Sequence, residues 1–113
     1  MTRVKSPAQV NHRRTLKAAK GFKQARSKRI KAAKEAVMHA GQYAYEGRKH
    51  RKRDFKKVWI LRISAATKKA GLSYSKFIGG LKKNKIELNR KILSELATNY
   101  PKVFSQIIDE AKK

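Results

Sequence analysis

The first 34 residues contain no acidic side chain, while 12 of them are Lys or Arg. Such a stretch resists closing into a compact body of its own, because its charges repel one another as they approach. The imbalance extends through the chain. Its 113 residues hold 31 Lys and Arg against 7 Asp and Glu, a net charge of +24. A polyanion that neutralises this charge removes the repulsion. Apolar residues still make up 40% of the sequence, more than a wholly disordered chain would carry.

Charge and apolar content run in opposite directions. Divided after residue 57, the first part has 19 Lys and Arg against Glu35, Glu46 and Asp54, a net of +16. The second has 12 against Glu87, Glu95, Asp109 and Glu110, a net of +8. Large apolar residues number 11 in the first part and 20 in the second. Only the second part can bury a core by itself. The expected organisation is a basic extension over residues 1–57 and a small folded domain over residues 58–113.

Helix formers dominate throughout, and no alternating pattern exceeds Ile86-Glu87-Leu88. The fold class is therefore all-α: a long basic helical extension followed by a small globular four-helix bundle. Ser6-Pro7 reads as an N-cap with proline at the first helical position, opening a helix to about Lys20, with Gly21 at C′. Phe22 to Ser27 reads as a bend. A long helix then spans about 28 to 70, roughly 65 Å, too long to lie wholly within a small domain. Gly71 ends it, Ser73 and Asn89 cap the next two helices, and Tyr100-Pro101 starts the last. Expected inward faces are Phe55, Val58, Trp59, Ile60, Ile63, Ala66 and Ala70 on the first helix of the bundle. On the others they are Tyr74, Phe77, Ile78 and Leu81; Ile92, Leu93 and Leu96; and Val103, Phe104, Ile107 and Ile108. Trp59, Phe77, Leu81, Leu93 and Phe104 are assigned to the core.

Several chemistries are disfavoured at once. Without cysteine there is no disulfide, thiolate metal site or cysteine nucleophile. Val58-Trp59-Ile60-Leu61, the longest run of large apolar residues, is far too short to span a bilayer, and no secretory signal is visible. His12, His39 and His50 form no close pair at metal-ligand spacing, so they read as solvated or RNA-facing. Neither a cofactor nor an enzymatic activity is expected. Gly79-Gly80 lies in a helical pattern and suggests close helix approach rather than a nucleotide loop.

The informative motif is Arg48-Lys49-His50-Arg51-Lys52-Arg53, followed by Lys56-Lys57. It places cations all around a helix, which calls for counter-charge on every side. Nucleic acid provides it, since phosphates line its surface densely. Arg13, Arg14, Lys17 and Lys20, then Arg26, Lys28, Arg29, Lys31 and Lys34, repeat the theme between alanines. Tyr43 and Tyr45 either stack on unpaired bases or pack along the helix. A long cation-coated helix suits insertion between RNA helices better than reading a DNA groove.

Several blocks, in order, resemble the L-twenty family of bacterial large-subunit (50S) ribosomal proteins. They include Thr2 to Lys5, Lys17 to Phe22, Ala40 to Tyr45, Arg51 to Phe55, Trp59-Ile60 and Arg62 to Ala66. Gly71 to Ile78, Gly80 to Lys83 and Asn89 to Leu93 complete the set. The resemblance implies a non-catalytic constituent of the cytoplasmic ribosome that binds large-subunit rRNA directly and supports early subunit assembly. Its partners would be that rRNA and neighbouring ribosomal proteins, with no membrane and no small-molecule substrate. Some members also bind their own messenger, which stands as a second candidate partner. Carried over by position, the RNA-facing residues are Arg3, Lys5, Arg13, Arg14, Lys20, Arg26, Arg29, Arg48, Arg51, Lys52 and Arg53 in the extension. In the globular domain they are Ser75, Lys76, Lys82, Lys83 and Arg90. The chain departs from the pattern at Lys23-Gln24, where the family usually has an aromatic and a glycine, and at Glu46-Gly47, where it usually has Arg-Asp.

Two other readings share the composition. A DNA-compacting protein would show little preference between duplex DNA and structured RNA. A cleaved organellar targeting peptide over residues 1–34 would be Arg-rich, Ala-rich and acid-free, but the resemblance runs through that segment.

Overall fold

Every regular element of the computed structural model, which describes residues 6–113, is helical. Helix α1 covers Pro7–Ala18, a short 3-10 turn covers Gln24–Ser27, and α2 covers Ile30–Lys69. They are followed by α3 (Tyr74–Lys83), α4 (Arg90–Asn99) and α5 (Pro101–Lys112). The all-α reading is borne out. The chain falls into two compact units, one ending at Lys49 and the other comprising His50–Lys113.

In the first unit, Ser6 is extended and Pro7 opens α1, but the Ser6 hydroxyl makes no capping bond. Its carbonyl accepts instead from the Gln9 N–H at 3.0 Å. Helix α1 stops two residues short of the expected Lys20, so Gly21 is not its C′ residue. Gly21, at φ +90°, is the third residue of a turn closed by Phe22 N–H donating to the Ala19 carbonyl at 3.1 Å. A type II turn needs a positive φ at that position, and glycine supplies it without steric cost. Gln24 also takes a positive φ, +54°. It stands where the family resemblance leads one to expect glycine, and its side chain makes the conformation costlier by roughly 1–2 kcal/mol. Fully buried hydrophobic residues in this unit are Ala19 and Ala33 alone among the described residues.

The second unit is built differently. Ile63 of α2, Phe77 and Leu81 of α3, Leu93 of α4, and Phe104, Ile108 and Ala111 of α5 form one buried cluster. Phe77 and Phe104 meet as a tilted pair with centroids 5.6 Å apart, worth about 0.5–1.5 kcal/mol beyond burial alone. Helix α5 packs on both α3 and α4. A Cβ added at Gly80 would overlap the carbonyl oxygen of Ala111 and lie 2.9 Å from its carbonyl carbon. Gly80 therefore permits the close approach anticipated for the glycine pair, while Gly79 faces open space.

Capping explains the helix ends. The Ser73 hydroxyl accepts from Lys76 N–H at 3.4 Å, and the Asn89 carboxamide oxygen accepts from Ile92 N–H at 2.9 Å. Helix α2 closes with paired bonds, Leu72 N–H to Thr67 carbonyl and Gly71 N–H to Lys68 carbonyl, both 3.0 Å, with Gly71 at φ +74°. This is a Schellman closure, and it presses Leu72 onto the core. Helix α3 ends the same way, through Ile86 N–H to Leu81 and Lys85 N–H to Lys82. There Lys85, not glycine, takes the left-handed position at φ +55°.

Some expected inward positions face outward. Phe55 is 50% exposed, and Val58 and Ala70 are also exposed. Trp59 is half-buried and stacks along the helix on Phe55, centroids 6.4 Å apart, outside the buried cluster. The cluster draws on Ile63 and Ala66, one to two turns further along α2, which leaves Phe55 and Trp59 beyond its edge. Ile92 and Val103 sit on flanks of their helices and stay exposed. Thr67 and Ser94 are buried in addition. Thr67 satisfies its hydroxyl on the Ser64 carbonyl at 3.1 Å, whereas the Ser94 hydroxyl has no partner.

Candidate nucleic-acid interface

Helix α2 carries the densest part of the candidate interface. Every residue from Met38 to Val58 is exposed, a run of almost six helical turns. A helix normally gains its stability in a protein by burying one face. This stretch buries none, and it includes Arg48, Lys49, Arg51, Lys52, Arg53, Lys56 and Lys57. The helix continues without a break through Gly41 and Gly47. Its aromatic side chains are exposed as well. Tyr43, 69% exposed, lies against His39 with ring planes 27° apart, and Tyr45 holds the Lys49 ammonium 4.4 Å above its ring. Arg51 sits 5.8 Å from the Phe55 ring centroid. These rings pack only along their own helix and keep their outer faces open.

Counter-charges barely intervene. Among the described residues, Lys57 with Asp54 at 3.7 Å and Lys113 with Glu110 at 2.6 Å are the Lys or Arg side chains paired to a carboxylate. Both pairs are exposed and span one helical turn, so each is worth a few tenths of a kcal/mol at about the level of isolated helices. Lys112 reaches the Ala70 carbonyl at 3.5 Å and thereby serves the end of α2. The remaining field is positive and available to an external polyanion.

The other residues singled out in the sequence fall into groups. Arg3 and Lys5 lie outside the described residues. Arg13 and Arg14 are exposed on α1, Lys20 in the turn after it, Arg26 in the 3-10 turn and Arg29 just ahead of α2. In the second unit, Ser75 and Lys76 stand in the first turn of α3, and Lys82 and Lys83 in its last, all exposed. About 10 Å of helix separates the two pairs, so they offer two contact points rather than one.

Arg90 differs from the other cations of this set among the described residues. It is half-buried at the start of α4, and its Nε–H donates to the Tyr74 hydroxyl at 2.9 Å. The bond ties the guanidinium at the start of α4 to the first residue of α3. A held guanidinium loses less entropy when it grips a phosphate with two parallel hydrogen bonds. Sequence reasoning places Tyr74 on the inward face of α3, where it does pack against the buried cluster, but misses this role. The partners are 16 residues apart, so no local spacing signals the contact.

A family model described as Ribosomal protein L20 matches residues 3–107. The large ribosomal subunit protein bL20 of Clostridium acetobutylicum is 55% identical to this chain, covering 100% of it and 97% of the relative. The protein of the same name from Alkaliphilus metalliredigens is 53% identical, and that from Clostridium botulinum strain Hall 51%, each with the same coverage.

Proposed function

The chain belongs to the ribosomal protein L20 family, and from that premise we propose that it binds large-subunit ribosomal RNA directly and supports early assembly of the subunit. It is a structural, non-catalytic component of the large ribosomal subunit, with ribosomal RNA and ribosomal proteins around it. The observation that most supports direct RNA binding is the run from Met38 to Val58, charged and exposed on all sides. Phosphates on several sides of the helix would supply the missing counter-charge.

In this reading residues 1–57 penetrate between RNA helices and residues 58–113 dock on an RNA junction. Arg13, Arg14, Lys20, Arg26, Arg29, Arg48, Arg51, Lys52 and Arg53, with Arg3 and Lys5 ahead of them, neutralise phosphates in the first part. Ser75, Lys76, Lys82, Lys83 and Arg90 hold the second. The extension takes its full helical form on the RNA, because a cationic helix lacking tertiary support is marginal alone. The messenger encoding the chain is a second RNA that the same surfaces would accept if it folds alike.

Crosslinking in cells, with sequencing of the attached nucleic acid, tests the proposal. Reads concentrated in one region of large-subunit rRNA are the expected result. Reads scattered over chromosomal DNA would replace it with the compaction reading. Circular dichroism on residues 1–57, with and without an rRNA fragment, tests folding on binding; equal helicity in both refutes it.

A further inference from the structure

The first unit contains an open cleft of about 700 Å³, within the range of about 300–1,000 Å³ common for small-ligand sites. The turn after α1 contributes Phe22, and the 3-10 turn contributes Arg26. The start of α2 contributes Glu35, Ala36, His39 and Tyr43. The side chains are small at Ala36, aromatic at Phe22 and Tyr43, and cationic at Arg26. A planar, partly polar group attached to a phosphate matches this lining.

Glu35 makes the cleft unusual. It is the first acid in the chain, preceded by 12 Lys and Arg. On a surface that meets phosphates, a carboxylate is repelled unless hydrogen-bond donors reach it. The side chain that comes closest to pairing with it, His39, has Nε2 3.8 Å from Oε1, too far for a hydrogen bond. Both carboxylate oxygens therefore remain open to donors from outside. Among the nucleobases, guanine alone presents two adjacent donors, N1–H and N2–H, on its Watson–Crick edge. Adenine and cytosine set an acceptor beside their amino group, and uracil flanks its single N–H with two carbonyls. A carboxylate thus favours guanine over the other three.

Resting on the RNA-binding reading above, we propose that this cleft receives one guanine unstacked from ribosomal RNA. Glu35 accepts from its N1–H and N2–H, Tyr43 and Phe22 provide stacking surface, and Arg26 pairs with a flanking phosphate. Single-stranded loops and bulges are where such bases become available to aromatic side chains.

The test uses the full chain and a complete large-subunit rRNA transcript at one stated salt concentration. Guanines are probed with kethoxal, which attacks N1 and N2. The native chain should shield a guanine that Glu35→Gln exposes, with the other protections retained and overall affinity about tenfold lower. Tyr43→Ala should expose the same guanine. Unchanged guanine protection in Glu35→Gln overturns the proposal. So does tighter binding by that variant, which is the result expected of a carboxylate that merely faces phosphates. If the native chain binds no rRNA at all, the RNA-binding reading falls as well, so the two failures are distinguishable.

Discussion

Up to Lys49 the chain has 14 Lys and Arg against Glu35 and Glu46; from His50 onward it has 17 against five acids. Each unit therefore carries a net charge of +12, yet they handle it differently. The second unit has 21 large apolar residues and buries six of them in a single cluster. The first has 10, and among the described residues its fully buried hydrophobics are only alanines. Net charge does not separate the unit with a buried cluster of large side chains from the unit without one. What separates them is how much apolar surface is available to offset repulsion and chain entropy.

Core truncation should separate the units most sharply. Phe77→Ala should cost about 3–5 kcal/mol in denaturant unfolding of the full chain. Leu16→Ala, at a half-buried site of α1, should cost under about 1 kcal/mol. Comparable losses would show that the first unit contributes to the same cooperative core. Next comes Gly80→Ala, which drives a methyl group into the Ala111 backbone and should cost about 3 kcal/mol. A near-neutral result would mean that α3 and α5 separate readily.

Replacing Arg48, Arg51, Lys52 and Arg53 together by Gln should reverse the pattern. Affinity for large-subunit rRNA should fall by roughly a hundredfold, and the dependence of log affinity on log salt should flatten by about 3. Thermal unfolding should remain unchanged or shift upward, since these side chains touch no core and repel one another. The smallest expected effect concerns backbone strain. Lys85→Gly should stabilise the second unit by about 1 kcal/mol, because glycine adopts a positive φ freely. Gln24→Gly relieves the same kind of strain in the first unit and should leave the melting transition where it is. An equal rise in both would place the units in one cooperative transition.

Much of the second unit was legible because its boundaries are local. Ser73, Asn89, Gly71 and Pro101 act on backbone groups within a few residues, and the structure uses each of them as a boundary. Gly80 was legible too, since glycine inside a helix costs stability unless something comes close. The outward Phe55, Ile92 and Val103 were not, because helical periodicity shows which residues share a face but not how far a neighbour covers it. The Tyr74–Arg90 bond depends on folding across 16 residues. Lys85 is a different case: its left-handed turn is imposed by the Schellman closure, and the side chain gives no hint of it. In the candidate interface, charge revealed the basic run, while the cleft around Glu35 emerged only when the turn after α1 met the start of α2.

The open run from Met38 to Val58 also bears on how long a copy of the chain survives. It contains seven Lys and Arg, and the peptide bond after each suits a protease that recognises basic residues. A helix without tertiary cover frays at little cost and exposes those bonds. RNA laid over the stretch would close them off. The expected consequence is that newly made copies persist when they find ribosomal RNA and are removed when they do not, matching supply of the protein to supply of its RNA.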